Sequence, residues 1–343
     1  PRMSFRRQFS IDNKLIGHDA PVYVIAEAGV AHFGDPGKAL ALVDLAADGG
    51  ADAFKTQAFT TNSLISARLP EWRDRLRPKE VGFDFIARMK QRCDQRGITF
   101  LCTAHDPSVL PWLDELGVPA YKIGSGERGN TPFLQELARR GKPMILSTGM
   151  HEERHLAEAL AAIAGAGLEE LALLHCVTSY PTPQDQVNLR AMDRMRELFQ
   201  GPVGYSDHTQ GHHVVFAAVA RGAAIVEKHI TLDFNVPNAQ DWKVSCGPDD
   251  FAAFVREIRE VETALGRSVK EVQPCEQAAL DWALKSLVAA CDLPAGTLLQ
   301  PEHLLSKRPG DGLPPSRQNE LLGKRLARPV ATDAALRLED LEP

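Results

Sequence analysis

His208, in GYSDHT, and His229, in EKHIT, each close a short apolar run. Two imidazoles held side by side with open coordination positions suit a divalent transition ion such as Mn²⁺, Fe²⁺, Co²⁺ or Zn²⁺. On residue type alone, a hydrogen-bonded polar pair fits equally well. Asp207, next to His208, and Glu227, two residues before His229, are candidate acceptors that would fix each ring's tautomer. Two lysines add a second chemistry, Lys55 in DAFKTQAF and Lys122 in AYKIGSGE. With Thr103, Ser125, Ser147 and Ser206 they form a set of donors suited to phosphate and carboxylate. Two blander possibilities stand beside this one: each lysine pairs with a carboxylate, Glu27 or Glu127, or one of them forms a Schiff base with a carbonyl. No serine–histidine or cysteine–histidine relay is apparent, and Cys102 and Cys176 fit small buried hydrophobes.

These residues share one kind of position. VYVIA runs into Glu27, DAF into Lys55 and Gln57, and ITFLC into Thr103 and His105. AYKIGSGE carries Lys122, Ser125 and Glu127, and MIL opens onto Ser147 and Thr148. LALLHC leads to Thr178 and Tyr180, VGY to Ser206, Asp207 and His208, and AAIV to Glu227, Lys228 and His229. Apolar bodies with reactive tips are what a closed parallel barrel requires, because its catalytic groups gather at the C-terminal strand ends. Between the runs lie helical periodicities: Leu40, Val43, Leu45 and Ala46; Phe85, Ile86, Met89 and Cys93; Leu134 and Leu137; Leu156, Leu160 and Ile163. The first of these helices should begin near Pro36 and stop at Gly49-Gly50. Strand–helix alternation with short connections predicts parallel pairing. Eight repeats predict an α/β fold of the (β/α)8 TIM-barrel class, and the missing Gly-rich dinucleotide fingerprint weakens an open doubly wound sheet.

FSIDNKLIGHDAP, with its polar Asp12-Asn13-Lys14 turn, predicts an N-terminal hairpin capping one end. The chain's 343 residues divide into a barrel domain over 1–267, a polar linker over 268–282 and a compact β-rich module over 283–343. The last is near the lower size limit for independent folding and should lean on its own barrel or a partner's. The net charge of −6, from 39 basic and 45 acidic residues, gives no global field for nucleic acid or an acidic membrane. No run reaches the ~18 apolar residues of a membrane span, and the basic opening PRMSFRRQFS lacks the apolar stretch of a secretory signal. Six scattered cysteines without a CxxC pair imply reduced thiols and a cytoplasmic location.

AEAGVAHFGD, KTQAF, AYKIGSGE, KPMILSTGM, LLHCVTSYPTP, GYSDHT and EKHIT, in this order, resemble the sialic acid synthase family. The tail SLVAACDLPAGTLLQPEHLLSKRPGDGLPP resembles the antifreeze-like SAF domain that follows the barrel there. The resemblance implies a transferase that condenses phosphoenolpyruvate with an N-acylated hexosamine, giving a nine-carbon 2-keto-3-deoxy sugar acid and phosphate. It implies His208 and His229 as ligands of Mn²⁺, and Lys55, Thr103, Lys122, Ser125 and Ser206 as phosphoenolpyruvate contacts. Gln57, Glu127, Tyr180 and Asp241 match positions that hold the acceptor sugar or support the metal. Glu27 matches an acid beside the reacting centre. Arg308 matches an arginine that reaches the sugar's acyl group in a partner's site, implying a homodimer.

Several positions depart from that pattern. Ala31 stands where asparagine usually precedes His32, so a local hydrogen bond should be missing. Thr178 replaces an asparagine that in some members lies against the phosphate. FNVPNAQDWKVSCGP keeps Asp241 but introduces Trp242 and Lys243, so acceptor identity is where the resemblance says least. The acceptor is N-acetylmannosamine, its 6-phosphate, or a diacetamido-trideoxyhexose as in legionaminic and pseudaminic acid synthesis. Other readings are a Schiff-base lyase using Lys122 or Lys55, and a non-catalytic carbohydrate- or ice-binding protein.

Overall fold

Apolar alternation at every second residue builds a closed parallel barrel. In the computed structural model, which describes residues 5–343, β3 (Tyr23–Gly29), β4 (Ala53–Ala58), β5 (Thr99–Ala104), β6 (Tyr121–Ile123), β7 (Met144–Ser147), β8 (Leu171–Cys176), β9 (Val203–Asp207) and β10 (Ile225–His229) pair in sequence order, and β10 returns to β3. The TIM-barrel expectation is met. The first four residues of the basic opening lie outside the described region.

Side chains alternate across each strand. Outward residues such as Val24, Ala26, Phe54, Phe100, Tyr121, Leu146 and Val226 pack against the helices in one large core. Inward residues Tyr23, Ile25, Ala53, Leu101, Ala120, Ile145, Ala172, Leu174 and Ile225 form a separate core inside the barrel. Phe9, Ile11 and Ile16 belong to this inner core. They come from the hairpin β1 (Gln8–Ile11) and β2 (Lys14–Gly17), paired antiparallel, which plugs the N-terminal end of the barrel. One step further along each strand, the same inward face meets no apolar lid, and there the polar residues stand.

Local signals set the surrounding helices. Asp35 caps Pro36–Asp48 by accepting from the Lys38 N–H at 2.9 Å, proline occupies the first turn and Gly49 follows the last. Its buried face is Ala39, Leu42, Val43 and Ala46, which corrects the sequence reading: Leu40 and Leu45 are only partly buried. Val43 and Ala46 lie on the buried face as expected, and Ala39 and Leu42 complete it in place of Leu40 and Leu45. The last barrel helix is Phe251–Leu265, with Phe251, Phe254, Val255 and Ile258 buried.

The chain divides into two compact units between Gly266 and Arg267. The second unit contains the short helix Gln277–Ala283, so part of the stretch expected as a linker is ordered with the small module. That module pairs β11 (Ser286–Ala289) with β12 (Leu304–Lys307) antiparallel and has its own core of Leu287, Leu293, Leu299, Leu321, Leu326 and Leu336. No helix among the described residues is long and apolar enough to cross a membrane.

Candidate active site

Beyond the apolar inner core, the inward positions bear Glu27, Lys55, Thr103, Lys122, Ser147, Cys176, Ser206, His208, Glu227 and His229, and all of them line one cavity of about 170 Å³ at the C-terminal mouth. The two lysines, buried there to the same degree, meet different surroundings. Lys55 Nζ lies 2.8 Å from Glu27 Oε2 and donates to Thr103 Oγ1 at 2.9 Å. Lys122 Nζ donates to Ser147 Oγ at 2.8 Å and lies 3.4 Å from Glu227 Oε1. Lys122 therefore pairs with Glu227 and not with Glu127. Burial lowers the Lys55 pKa, but the carboxylates of Glu227 and Glu27 outweigh it and hold the ammonium above its ordinary value. For Lys122, burial together with the Lys55 charge outweighs Glu227 and holds the pKa below the ordinary lysine range. Burial pushes the Glu227 pKa up, and Lys122, Lys55 and His229 together pull it down to about 2.

His208 and His229 converge at the same mouth, with ring centroids 5.5 Å apart. Tyr180 packs over His208 at 4.0 Å and edge-on to His229 at 5.9 Å. His208 Nδ1 is fixed by the Val177 carbonyl at 2.7 Å. His229 Nδ1 is buried and finds no hydrogen-bond partner among the described residues. The expectation that Asp207 and Glu227 orient these rings is not met, and strand alternation is the reason. Asp207 and Lys228 point outward and pair with each other at 2.6 Å, with Tyr205 Oη donating to Asp207 at 2.8 Å. Glu227 points inward, but toward the lysines and Ser206 Oγ, which donates to it at 3.0 Å.

The remaining expected residues separate into groups. Ser125 and Thr178 line the same cavity, where Gly149 lies so close that a β-carbon on it would stand 2.3 Å from Thr178 Oγ1 and 2.8 Å from Ser125 Oγ. Gln57 and Tyr180 border both this cavity and an outer pocket of about 250 Å³. Asp241 lies on the outer pocket only, among Phe33, Trp72, Lys79 and Trp242. Glu127 is set apart: its Oε2 accepts from Asn130 Nδ2 at 2.7 Å, and it lines neither cavity. Arg308 lies in the second unit, its guanidinium 5.3 Å from the centroid of the Trp282 ring.

Sequence reasoning names His105 only as a strand tip and Cys176 only as a small buried hydrophobe, and it passes over Lys79. His105 borders both cavities, and burial followed by the Lys55 and Lys122 charges depresses its pKa to about 4. It follows Thr103 by two residues, so strand parity could have found it. Cys176 Sγ lies 3.6 Å from His208 Nδ1. Lys79 ends the short 3-10 helix Arg77–Lys79, distant in sequence from the strand tips, and carries no signal.

Residues 42–270 match the NeuB family, and residues 285–342 match the SAF domain. The chain belongs to the NeuB family. Within it, the chain is 37% identical over 332 residues to N,N'-diacetyllegionaminic acid synthase of Campylobacter jejuni, covering 92% of this chain and 98% of that one. It is 32% identical over 343 residues to human N-acetylneuraminate-9-phosphate synthase, covering 96% and 95%. The crystal structure of the N-acetylneuraminic acid synthetase of Leptospira borgpetersenii superposes with a TM-score of 0.74 at 33% identity, over 81% of this chain and 96% of that one. This NeuB-family member is thus an enzyme of the sialic, legionaminic or pseudaminic acid synthase type.

Proposed function

We propose that the protein condenses phosphoenolpyruvate with an N-acylated hexosamine, forming a nine-carbon 2-keto-3-deoxy sugar acid and releasing phosphate. The observation that carries this reading is the meeting of two imidazoles and two buried ammonium groups at one barrel mouth. Lys55 and Lys122 are matched there by Glu27 and Glu227, so the four formal charges cancel. Phosphoenolpyruvate brings about three negative charges near neutral pH. A dry cavity of zero net charge accepts such an anion only with a further cation, which supports a divalent ion beside it. The donor set fits one: His229 Nδ1 is a buried ring nitrogen lacking a partner among the described residues, and His208 is held by its Val177 contact. His208 and His229 would hold the ion, with Mn²⁺ the expected metal. When bound, it supplies Lewis-acid polarisation of the acceptor's aldehyde.

The protein's own residues then do the following. Lys55, Thr103, Lys122, Ser125, Ser147 and Ser206 hold the phosphate and carboxylate of phosphoenolpyruvate, with Thr178 closing that side. Gln57, Tyr180 and Asp241 position the sugar, with its aldehyde toward the inner cavity. The C3 carbon of the enol ether attacks the aldehyde carbon, leaving an oxocarbenium-like C2 that the carboxylates of Glu27 and Glu227 stabilise. Water adds to C2 and gives one proton to Glu27, which passes it to the oxygen of the former aldehyde; the C2–O bond to phosphate then breaks, and the C2 hydroxyl yields its proton to the departing phosphate as the ketone forms. Arg308 serves the acyl group in the partner subunit's site of a homodimer.

Acceptor identity rests on the outer pocket. Its walls include Val30, Phe33, Leu76, Val236 and Trp242, and the Trp242 Nε1–H is buried without an acceptor among the described residues. N-acetylmannosamine is the first expectation, and the 6-phosphate and a 2,4-diacetamido-trideoxyhexose are the alternatives. The deciding experiment assays all three with phosphoenolpyruvate and Mn²⁺, following phosphate release and product mass. Phosphate release with none of them removes the proposal.

The lowered pKa of Lys122 favours a second reading, a Schiff-base lyase. Borohydride trapping of pyruvate on Lys122 would establish it, and the absence of an adduct would remove it.

A further inference from the structure

Behind β10, on the outer side of the barrel rim, three donors of different chemistry meet. His212 precedes the helix His213–Ala220, Cys246 follows β10, and Asp250 precedes the helix Phe251–Leu265. His212 Nε2 lies 3.1 Å from Asp250 Oδ2 and 3.5 Å from Cys246 Sγ, and the three atoms all lie within 4.8 Å of one another. We propose that His212, Cys246 and Asp250 form a second divalent-metal site, one that takes a thiophilic ion such as Zn²⁺.

The spacing carries the argument. An ion bound to nitrogen and oxygen at ~2.0–2.1 Å and to sulfur at ~2.3 Å in a tetrahedron sets its ligands about 3.3–3.6 Å apart. The His212–Asp250 and Cys246–His212 separations, 3.1 and 3.5 Å, therefore need to open by at most a few tenths of an ångström, and the third, between Cys246 Sγ and the Asp250 carboxylate, lies below 4.8 Å. Each donor is also held from behind. The Cys246 N–H donates to the His229 carbonyl and its C=O accepts from Thr231 N–H, both at 2.9 Å. Asp250 Oδ1 accepts from Gly247 N–H at 2.6 Å, which leaves Oδ2 for the ion. The His212 ring packs against Phe254 with centroids 5.1 Å apart. Supporting contacts of this kind preorganise a metal site. Cys246 is buried while His212 and Asp250 are partly exposed, so an ion has a route in and water can supply the fourth ligand. On binding, the Cys246 thiol proton is released to solvent and a sulfur–metal bond forms.

The rim places a thiol among its three donors, and thiolate selects zinc-like ions over Mn²⁺; the barrel mouth has carboxylates and hydroxyls around its imidazoles and also a thiol, Cys176, 3.6 Å from His208 Nδ1. Because the backbone of Cys246 is bonded to that of His229, an ion at the rim grips the chain directly behind one of the barrel-mouth imidazoles.

The test uses the full-length protein stripped with chelator and titrated with Co²⁺, whose thiolate complex gives a near-ultraviolet charge-transfer band. Cys176 lies beside His208 and could produce a similar band, so C246S and C176S are compared with the parent, with folding checked by circular dichroism. The expected result is a band present in the parent and in C176S and absent in C246S, with Zn²⁺ abolishing it by displacement. A band that persists in C246S, or none in the parent, overturns the proposal. Should C246S misfold, D250N gives a second reading, because asparagine keeps the bond from Gly247. D250N is expected to bind fewer zinc equivalents than the parent at equilibrium dialysis, and equal binding overturns the site.

Discussion

Glu227 Oε1 lies 3.4 Å from Lys122 Nζ, and the same carboxylate turns its other oxygen to Lys55, 3.7 Å away. One buried carboxylate thus stands between two buried ammonium groups that would otherwise repel. Removing one member of such a cluster typically costs about 3–5 kcal/mol. Glu227→Gln is expected to lower stability by about 3 kcal/mol in denaturant titration. Added inorganic phosphate should restore part of that loss, because it replaces the missing negative charge. An equal loss with and without phosphate would remove Lys55 and Lys122 from an anion site.

Metal dependence is expected to follow the imidazoles. Complete chelation should abolish phosphate release, and Mn²⁺ should restore it. His208→Ala and His229→Ala should each weaken Mn²⁺ binding by about a hundredfold or more in calorimetry. Full turnover by either variant would exclude the pair as ligands.

Gly149 is where backbone closeness matters most. A methyl group there must displace Thr178 or Ser125, since it would lie within 3 Å of both hydroxyls. Gly149→Ala is expected to raise KM for phosphoenolpyruvate about tenfold or more, leaving KM for the sugar nearly unchanged. Unaltered phosphoenolpyruvate kinetics would show that these hydroxyls do not hold the anion.

His32 should make stability fall in acid. Its ring is fully buried, Nδ1 accepts from Gly34 N–H at 3.0 Å, and burial depresses its pKa to about 4. The unfolded chain binds a proton near the ordinary value of ~6.5 and the folded chain does not, so stability is complete above that pH and declines as pH falls toward 4. The contribution reaches about 3 kcal/mol at the acid end. Denaturant midpoints between those pH values should fall less steeply in His32→Asn than in the parent. Parallel slopes would contradict the buried neutral ring.

Arg308 and His208 should complement each other across subunits. Arg308→Ala and His208→Ala are each expected to be nearly inactive alone. Mixed after subunit exchange, they should recover about a quarter of parental activity, since half the dimers each contain one intact site. No recovery, in mixtures shown by mass spectrometry to contain heterodimers, would place Arg308 outside the partner subunit's site.

The strand ends were legible because they obey a local rule. Eight apolar runs with polar tips announce a barrel, and period-two alternation carries Lys55, Thr103, Lys122, Ser206, His208 and His229 to the same interior. The outward turn of Asp207 and Lys228 follows from the same parity, which pairs Asp207 with Lys228 and with neither imidazole. The Asp35 cap and the Gly49 stop were equally local.

What only the tertiary structure decided depends on distances between residues far apart in the chain. Sequence names Glu27 and Glu127 as carboxylate partners for the lysines and places Glu227 with the imidazoles. Barrel closure, which sets β10 beside β3, chose Glu27 and Glu227 and left Glu127 bonded to Asn130. Likewise, the three donors at the rim come from separate turns, and no spacing in the sequence announces them. Strand periodicity is written in neighbouring residues, whereas charge pairing depends on which strand ends the closed barrel brings within about 4 Å.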